Sequence, residues 1–337
     1  MSRIFSGIQP SGELHIGNYL GAVKNWVQLQ HTFDTIICIV DYHAIIARYD
    51  PAVLRERRRE MAVSLISAGI DPTKTALFVQ SQVPEHTELA WFLNTITPLG
   101  ELERQTQFKE KSGKQESVPA GLLNYPVLQA ADILLYRADK VPVGEDQVQH
   151  LELSRVVARR WNAFFGTLTG RTAEDGTEER EAFFPEPEPM LTPTRRIMGL
   201  DGQSKMSKSL NNTIGLMEST DAIWAKLRPA VTDPKRIRKT DPGTPEVCNI
   251  YQLHRGFSTP ETVEHVAAQC RSAGWGCIDC KKTLAASIET ELVPIRRRAS
   301  ELAERPSDVE DALASGATRC RRIARETIDA VRERMGF

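Results

Sequence analysis

Three groups of residues in this chain have the types and spacing for chemistry. The first is G-I-Q-P-S-G-E-L-H-I-G-N, residues 7–18, where a His, a Gly and an Asn open a helix directly after a glycine- and proline-bearing turn. Free amides at a helix start, with imidazole and carboxamide donors beside them, suit a polyphosphate, and Gly17 lets a ligand approach the backbone. A plain strand-to-helix turn would read the same way. The second is G-L-D-G-Q-S-K-M-S-K-S-L-N-N, residues 199–212, which brings Lys205 and Lys208 near one another. Two such lysines can clamp a charged leaving group, or simply sit on a surface loop. The third is Cys248, Cys270, Cys277 and Cys280, spaced C-x21-C-x6-C-x2-C, while Cys38 and Cys320 stand apart. Four thiols with a closing C-x2-C in a reducing compartment point to a four-thiolate metal site, and spacing does not choose between zinc and an iron-sulfur cluster.

Two further stretches offer polar groups to a ligand. In Y-P-V-L-Q-A-A-D-I-L-L-Y a helix is expected from about Pro126, with Tyr125, Gln129 and Asp132 on one face. A carboxylate on so apolar a helix needs a partner, either a core Arg or Lys or a ligand N–H or O–H. Val141 to Gln147 reads as a short strand delivering Gly144, Glu145, Asp146 and Gln147 to the mouth of a sheet.

The elements that must position these groups follow from periodicity. Ile4 and Phe5 end in the first turn, and Ile16, Leu20, Val23 and Val27 share one helical face. Thr35 to Val40 is a near-continuous apolar run, as in a parallel strand covered on both sides, and ends in Asp41-Tyr42-His43. His43 there could contact a ligand or be a half-buried, hydrogen-bonded residue. Asp50-Pro51 caps a helix through about Ala68, with Arg55, Arg57, Arg58 and Arg59 as a solvated face, and the next strand is Thr75 to Gln80. This alternation predicts an α/β fold with a doubly wound, Rossmann-type parallel sheet. Residues 101–117 read as an exposed, mobile segment whose Arg104, Lys109, Lys111 and Lys114 could touch a phosphate backbone, and 171–189 as an acidic excursion with little core. A helix through Arg160 lies between them.

After residue 210 the strand signals stop. Helices are expected over 221–227, 262–270, 284–302 and 309–334, so the chain divides at 1–210 and 211–337. Basic clusters at 226–239, 296–298 and 319–325 are either solvated faces or a nucleic-acid surface. The 337 residues are 41% hydrophobic and 26% charged, with a net charge of −1, so no overall basic field announces nucleic acid. No run of eighteen apolar residues and no signal-peptide pattern occurs, which implies a cytoplasmic protein with no membrane partner.

G-I-Q-P-S-G-E-L-H-I-G-N followed by K-M-S-K-S resembles the paired signatures of class I aminoacyl-tRNA synthetases. With H-I-G-N-Y-L-G-A, D-Y-H-A, A-A-D-I-L-L-Y and V-P-V-G-E-D-Q, the resemblance is to the bacterial tryptophanyl group over essentially the whole chain. It implies a homodimer with a catalytic domain and a helical anticodon-binding domain. Gln9, Pro10, Ser11, Gly17 and Asn18 would line ATP, with Gly144, Glu145, Asp146, Ile197 and the mobile loop Lys205, Met206, Ser207, Lys208 and Ser209. His15, Asn18, Lys205 and Lys208 would be catalytic, with His15 and the lysines stabilising the phosphates and Mg²⁺ sharing their charge. Phe5, Val141 and Val143 would make an apolar slot for L-tryptophan, flanked by His43. Tyr125 and Gln147 would hold the α-amino group and Asp132 would accept the indole N–H. Transfer to tRNA(Trp) would follow.

At position 129 the tryptophanyl pattern has methionine or a similar residue, where this chain has Gln129. Tyr-x3-Gln-x2-Asp is also the layout of tyrosyl enzymes, which makes tyrosine the alternative substrate. A catalytically dead paralogue binding tryptophan or RNA is another reading, although His15, Asn18, Lys205 and Lys208 are all present. The cysteine pattern resembles that of the minority of tryptophanyl enzymes with a 4Fe-4S cluster, with zinc as the alternative.

Overall fold

The computed structural model describes residues 2–113, 117–144, 148–172, 178–191 and 197–337. β1 (Arg3–Ile8) leads through a turn into one helical run of three segments: α1 (Ile16–Asn18), a π-helical stretch (Tyr19–Val23) and α2 (Lys24–Leu29). β2 (Asp34–Ile39), α3 (Asp41–Ala44), α4 (Pro51–Ser67) and β3 (Ala76–Val79) follow. Asp50 caps α4 as expected, its carboxylate accepting from the amides of Ala52 and Val53 at 2.8 and 3.4 Å.

Next come α5 (Glu85–Ile96), α6 (Leu99–Glu103), α7 (Thr106–Ser112), α8 (Ala120–Leu134), β4 (Lys140–Val143) and α9 (Val148–Phe165). Two expectations change here. The polar segment after residue 100 forms helices α6 and α7 in place of a loop, because Leu102 and Gln105 bury themselves on one side. Helix α8 starts six residues before Pro126, which sits inside it and forgoes only its own backbone donor. Residues 114–116 lie outside the described set.

β5 (Thr167–Thr172) and β6 (Glu178–Glu181) form an exposed antiparallel hairpin, and β7 (Glu188–Leu191) returns to the main sheet. The acidic excursion therefore supplies a sheet strand. It also supplies a core residue: Phe184 is fully buried, 4.8 Å from the Trp161 ring. The sheet is parallel throughout, in the order β3-β2-β1-β4-β7. Alternate residues of β2 serve opposite cores: Ile36 and Cys38 face α5, α8 and α9, while Ile37 and Ile39 face the first helical run and α4.

The remainder is helical: α10 (Thr220–Leu227), α11 (Asn249–Phe257), α12 (Pro260–Arg271), α13 (Cys277–Glu304) and α14 (Pro306–Met335). Helix α14 turns back and covers the edge strand β3, with Gly316 against the Leu77 backbone. Arginines fasten it there. Arg319 pairs with Asp34, Arg325 with Glu85 at 3.5 Å and Arg332 with Glu88 at 2.7 Å. Much of the basic cluster at 319–325 thus holds the fold together.

Candidate active site

The sheet order reverses between β1 and β4, and an apolar cleft opens at their carboxyl ends, where open α/β sheets take ligands. Its volume is ≈ 550 Å³. Phe5, His43, Tyr125, Gln129, Asp132, Val141 and Val143 all line it, as do Gln9 and Gly144. Glu145, Asp146 and Gln147 lie outside the described residues.

Asp132 is 2% exposed and already has partners. Its Oδ1 accepts from Gln80 Nε2 at 2.6 Å and meets His86 Nδ1 at 2.6 Å, and its Oδ2 meets His43 Nε2 at 2.7 Å. Neither a core Arg or Lys nor an awaited ligand is needed to satisfy it. Burial alone would raise its carboxyl, but His43 and His86 outweigh burial and hold it below the usual carboxylate range. Two donors on Oδ1 and one on Oδ2 leave one acceptor position on Oδ2. Asp132 at the wall of the cleft can therefore take one more N–H. Tyr125 donates to Gln107 Oε1 at 3.1 Å and lies 3.1 Å from His150 Nε2.

Behind the cleft, Asp41 is held by Arg58 at 3.0 Å and by the amide and hydroxyl of Ser81 at 2.9 and 2.6 Å. Arg58 thus leaves the solvated face expected of it, drawn in by a buried carboxylate.

The second part of the site lies at the start of α1. His15 caps that helix: its Nδ1 accepts from the Asn18 amide at 3.3 Å, and the His15 amide donates to Asn18 Oδ1 at 3.3 Å. Because Nδ1 accepts, Nε2 carries the hydrogen in a neutral ring and is the donor left for a ligand. The ring is neutral at pH 7: burial first, then Lys208 and Lys205, lower its pKa to about 4. The charges of the two lysines named from their spacing therefore act on His15. Lys208 Nζ lies 3.0 Å from where a Gly12 side chain would start, and Met206 Cβ lies 3.2 Å from the same point on Gly17. Gly12 has a φ of +109°. The first turn and the lysine loop interlock through residues that lack side chains.

Asn212 laces the loop. Its Oδ1 accepts from the Ser207 amide at 2.7 Å, and its Nδ2 donates to Asp201 Oδ2 at 2.9 Å and the Lys205 carbonyl at 3.3 Å. Ile197 accepts from the Met206 amide at 3.2 Å, and the Ser207 and Ser209 hydroxyls lie 3.0 Å apart. Beyond the loop, the Ile16 amide donates to the Ile214 carbonyl at 2.9 Å, which ties it to the helix entry. Ser11 closes the first turn by donating to the Gln9 carbonyl at 2.8 Å, with Pro10 buried between them.

The model of class I tRNA synthetases for tryptophan and tyrosine matches residues 1–293. A tryptophan–tRNA ligase of Deinococcus radiodurans is 51% identical over 341 residues, covering 100% of this chain and 99% of its own. This chain belongs to the class I tryptophanyl-tRNA synthetase family. Among solved structures, the Campylobacter jejuni tryptophanyl-tRNA synthetase, complexed with ADP and tryptophan, superposes with a TM-score of 0.85 at 35% identity, covering 99% of this chain and 100% of that one. The Mycoplasma pneumoniae tryptophanyl-tRNA synthetase gives 0.82 at 32% identity, covering 100% and 98%.

Within this synthetase fold the four cysteines converge. Cys248, Cys270, Cys277 and Cys280 line one cavity of ≈ 20 Å³ together with Arg236 and Trp275. Among the described residues, however, no three or more His, Cys, Asp or Glu side chains are arranged to hold a metal ion. Arg236 lies 3.8 Å from Cys270 Sγ and donates to the Trp275 carbonyl at 2.5 Å, so this member of the basic stretch 226–239 serves the cysteine pocket. Burial, and then the neighbouring thiols, push Cys280 up to about 12.

The roles of His86, Gln80 and Arg58 carry no local signal in the sequence, because each is a single polar residue brought in from another element. Asn212 closes the quoted lysine loop itself, and its part in lacing that loop shows only in the structure.

Proposed function

We propose that this chain activates L-tryptophan with ATP and transfers it to tRNA(Trp). The observation that carries this is an apolar cleft followed by a lysine-flanked helix entry, the two joined by the first turn, whose Gly7 and Gln9 line the cleft. An ionised Asp132 with one acceptor position faces an apolar slot of Phe5, Val141 and Val143, and the neutral His15 stands beside Lys205 and Lys208. The indole N–H would complete Asp132, and the α-amino group would fall to Tyr125 and Gln147. As the tryptophan carboxylate attacks the α-phosphorus, His15 Nε2–H and the two ammonium groups would stabilise charge on the departing pyrophosphate. No covalent bond to the enzyme is required. Mg²⁺ bound by the phosphates would share their charge. Gln9, Gly17, Asn18 and the loop from Lys205 to Ser209 would enclose the nucleotide.

We infer further that residues 1–210 form the catalytic domain and 211–337 the anticodon-binding domain of a cytoplasmic homodimer. Among the described residues no helix is long and apolar enough to cross a membrane. The four cysteines would hold a 4Fe-4S cluster. The reading is supported by their common cavity and by donors near the sulfurs, including His254 Nε2 at 3.5 Å from Cys280 Sγ. Anaerobic purification with iron, sulfide and zinc analysis tests this, and a colourless protein with stoichiometric zinc overturns it.

Amino-acid-dependent ATP–pyrophosphate exchange tests the activation. Exchange with tryptophan alone, abolished in Asp132→Ala, is expected. Exchange with tyrosine would instead make Gln129 the specificity residue, and none with either would favour a binding protein without catalysis.

A further inference from the structure

Asp132 is the pocket end of a buried polar chain. His86 Nδ1 lies 2.6 Å from Asp132 Oδ1, and His86 Nε2 lies 2.7 Å from the Tyr136 hydroxyl. His86 and Tyr136 are each 0% exposed, and of the three only Asp132 lines the cleft.

The direction of each bond follows from the end that admits one role. An ionised carboxylate can only accept, so His86 Nδ1 carries a hydrogen. In a neutral ring Nε2 is then bare and must accept, and the Tyr136 hydroxyl is the group that meets it. Tyr136 therefore donates to His86. Without the Tyr136 hydroxyl, His86 Nε2 is a buried acceptor with no donor, and the ring is held by hydrogen bonding at Nδ1 alone. The ring can then turn with the carboxylate it bonds, and Asp132 can rotate its remaining acceptor position out of the cleft.

We propose that His86 and Tyr136 are positioning residues which keep Asp132 an acceptor, and so set the preference for a substrate ring bearing an N–H over an isosteric ring without one. The proposal rests on the activation of tryptophan argued above. Tyr136→Phe deletes one oxygen and keeps the ring between Phe5 and Phe78, whose centroids lie 5.5 and 5.9 Å away.

The measurement is pyrophosphate exchange with tryptophan and with β-(3-benzothienyl)alanine, which has sulfur in place of the N–H. In Tyr136→Phe the KM for ATP should stay unchanged. The KM for tryptophan should rise about tenfold, and the preference for tryptophan over the sulfur analogue should fall about as much. Adding His86→Asn places an amide N–H where Nδ1 was, a donor that needs no help from Tyr136. It should restore part of the preference, and His86→Asn alone should be insensitive to Tyr136→Phe. A preference unchanged in Tyr136→Phe overturns the proposal, as does one lost in step with ATP affinity and not recovered by the asparagine. Wild-type enzyme that fails to exchange with tryptophan would instead overturn the underlying activation reading, and this proposal with it.

Discussion

The Lys208 ammonium lies 3.0 Å from the point where a side chain on Gly12 would begin, so the turn before the first helix is closed by a residue nearly two hundred positions later. Gly12 also holds a φ of +109°, which an L side chain rarely adopts. Gly12→Ala should cost about 1–3 kcal/mol of stability through the backbone alone. The ammonium, the far end of a flexible chain, can yield, and its displacement should lower tryptophan-dependent exchange by about 10- to 100-fold. Urea unfolding and exchange kinetics on one preparation separate the two effects.

His15 makes stability depend on pH in a stated direction. Its pKa falls from 6.5 to about 4 on folding. Between those values the unfolded chain binds more protons than the folded one, so stability rises with pH across that window. This contribution is full above pH 6.5 and is lost as pH falls toward 4. Urea midpoints taken in steps from pH 4 to 7 should rise more steeply for the wild type than for His15→Asn. At pH 7 the same variant should lose about 100-fold or more in exchange, the size of one missing oxyanion donor.

Gly316 is where α14 crosses the edge strand. A Cβ there would stand 2.0 Å from the Leu77 carbonyl oxygen, a backbone atom that cannot swing away. Gly316→Ala should therefore destabilise the protein by about 2–4 kcal/mol by pushing the helix off β3. Ser315→Ala, on the exposed side of the same turn, should stay within about 0.5 kcal/mol. Equal effects of the two variants would remove the crossing as the cause.

Cys277→Ser tests the cysteine pocket at a distance from the activation chemistry. Loss of one sulfur should lower tRNA charging by about tenfold and leave tryptophan-dependent exchange close to wild type. A parallel loss of both activities would count against a role confined to tRNA contact.

Local features of the molecule could be read without coordinates. Asp50 and Pro51 open α4 because a cap and a first-turn proline act on the adjacent backbone. The apolar run 35–40 became the interior strand β2 because both faces of a parallel sheet are covered. The interlocking of residues 7–18 with 205–209 was legible only through resemblance, since nothing in either stretch specifies the other. Helices α6 and α7 were hidden because their polar sequence buries only a few side chains, and β7 because its pairing partner lies some forty-five residues earlier.

The sequence by itself determined the inventory: an α/β half, a helical remainder, a His-Gly-Asn helix entry, two lysines in a loop, and a carboxylate at position 132. The tertiary structure decided what those groups are. A hydrogen bond reaches about 3 Å, so Asp132 could acquire His43, His86 and Gln80 only once α3, α5 and the end of β3 were packed around α8. The same packing buried His15 and set the Lys208 and Lys205 charges near it, and these effects, burial first, lower its pKa. Residue types were written in the chain, but charge state and hydrogen-bond direction depend on neighbours that are distant along it.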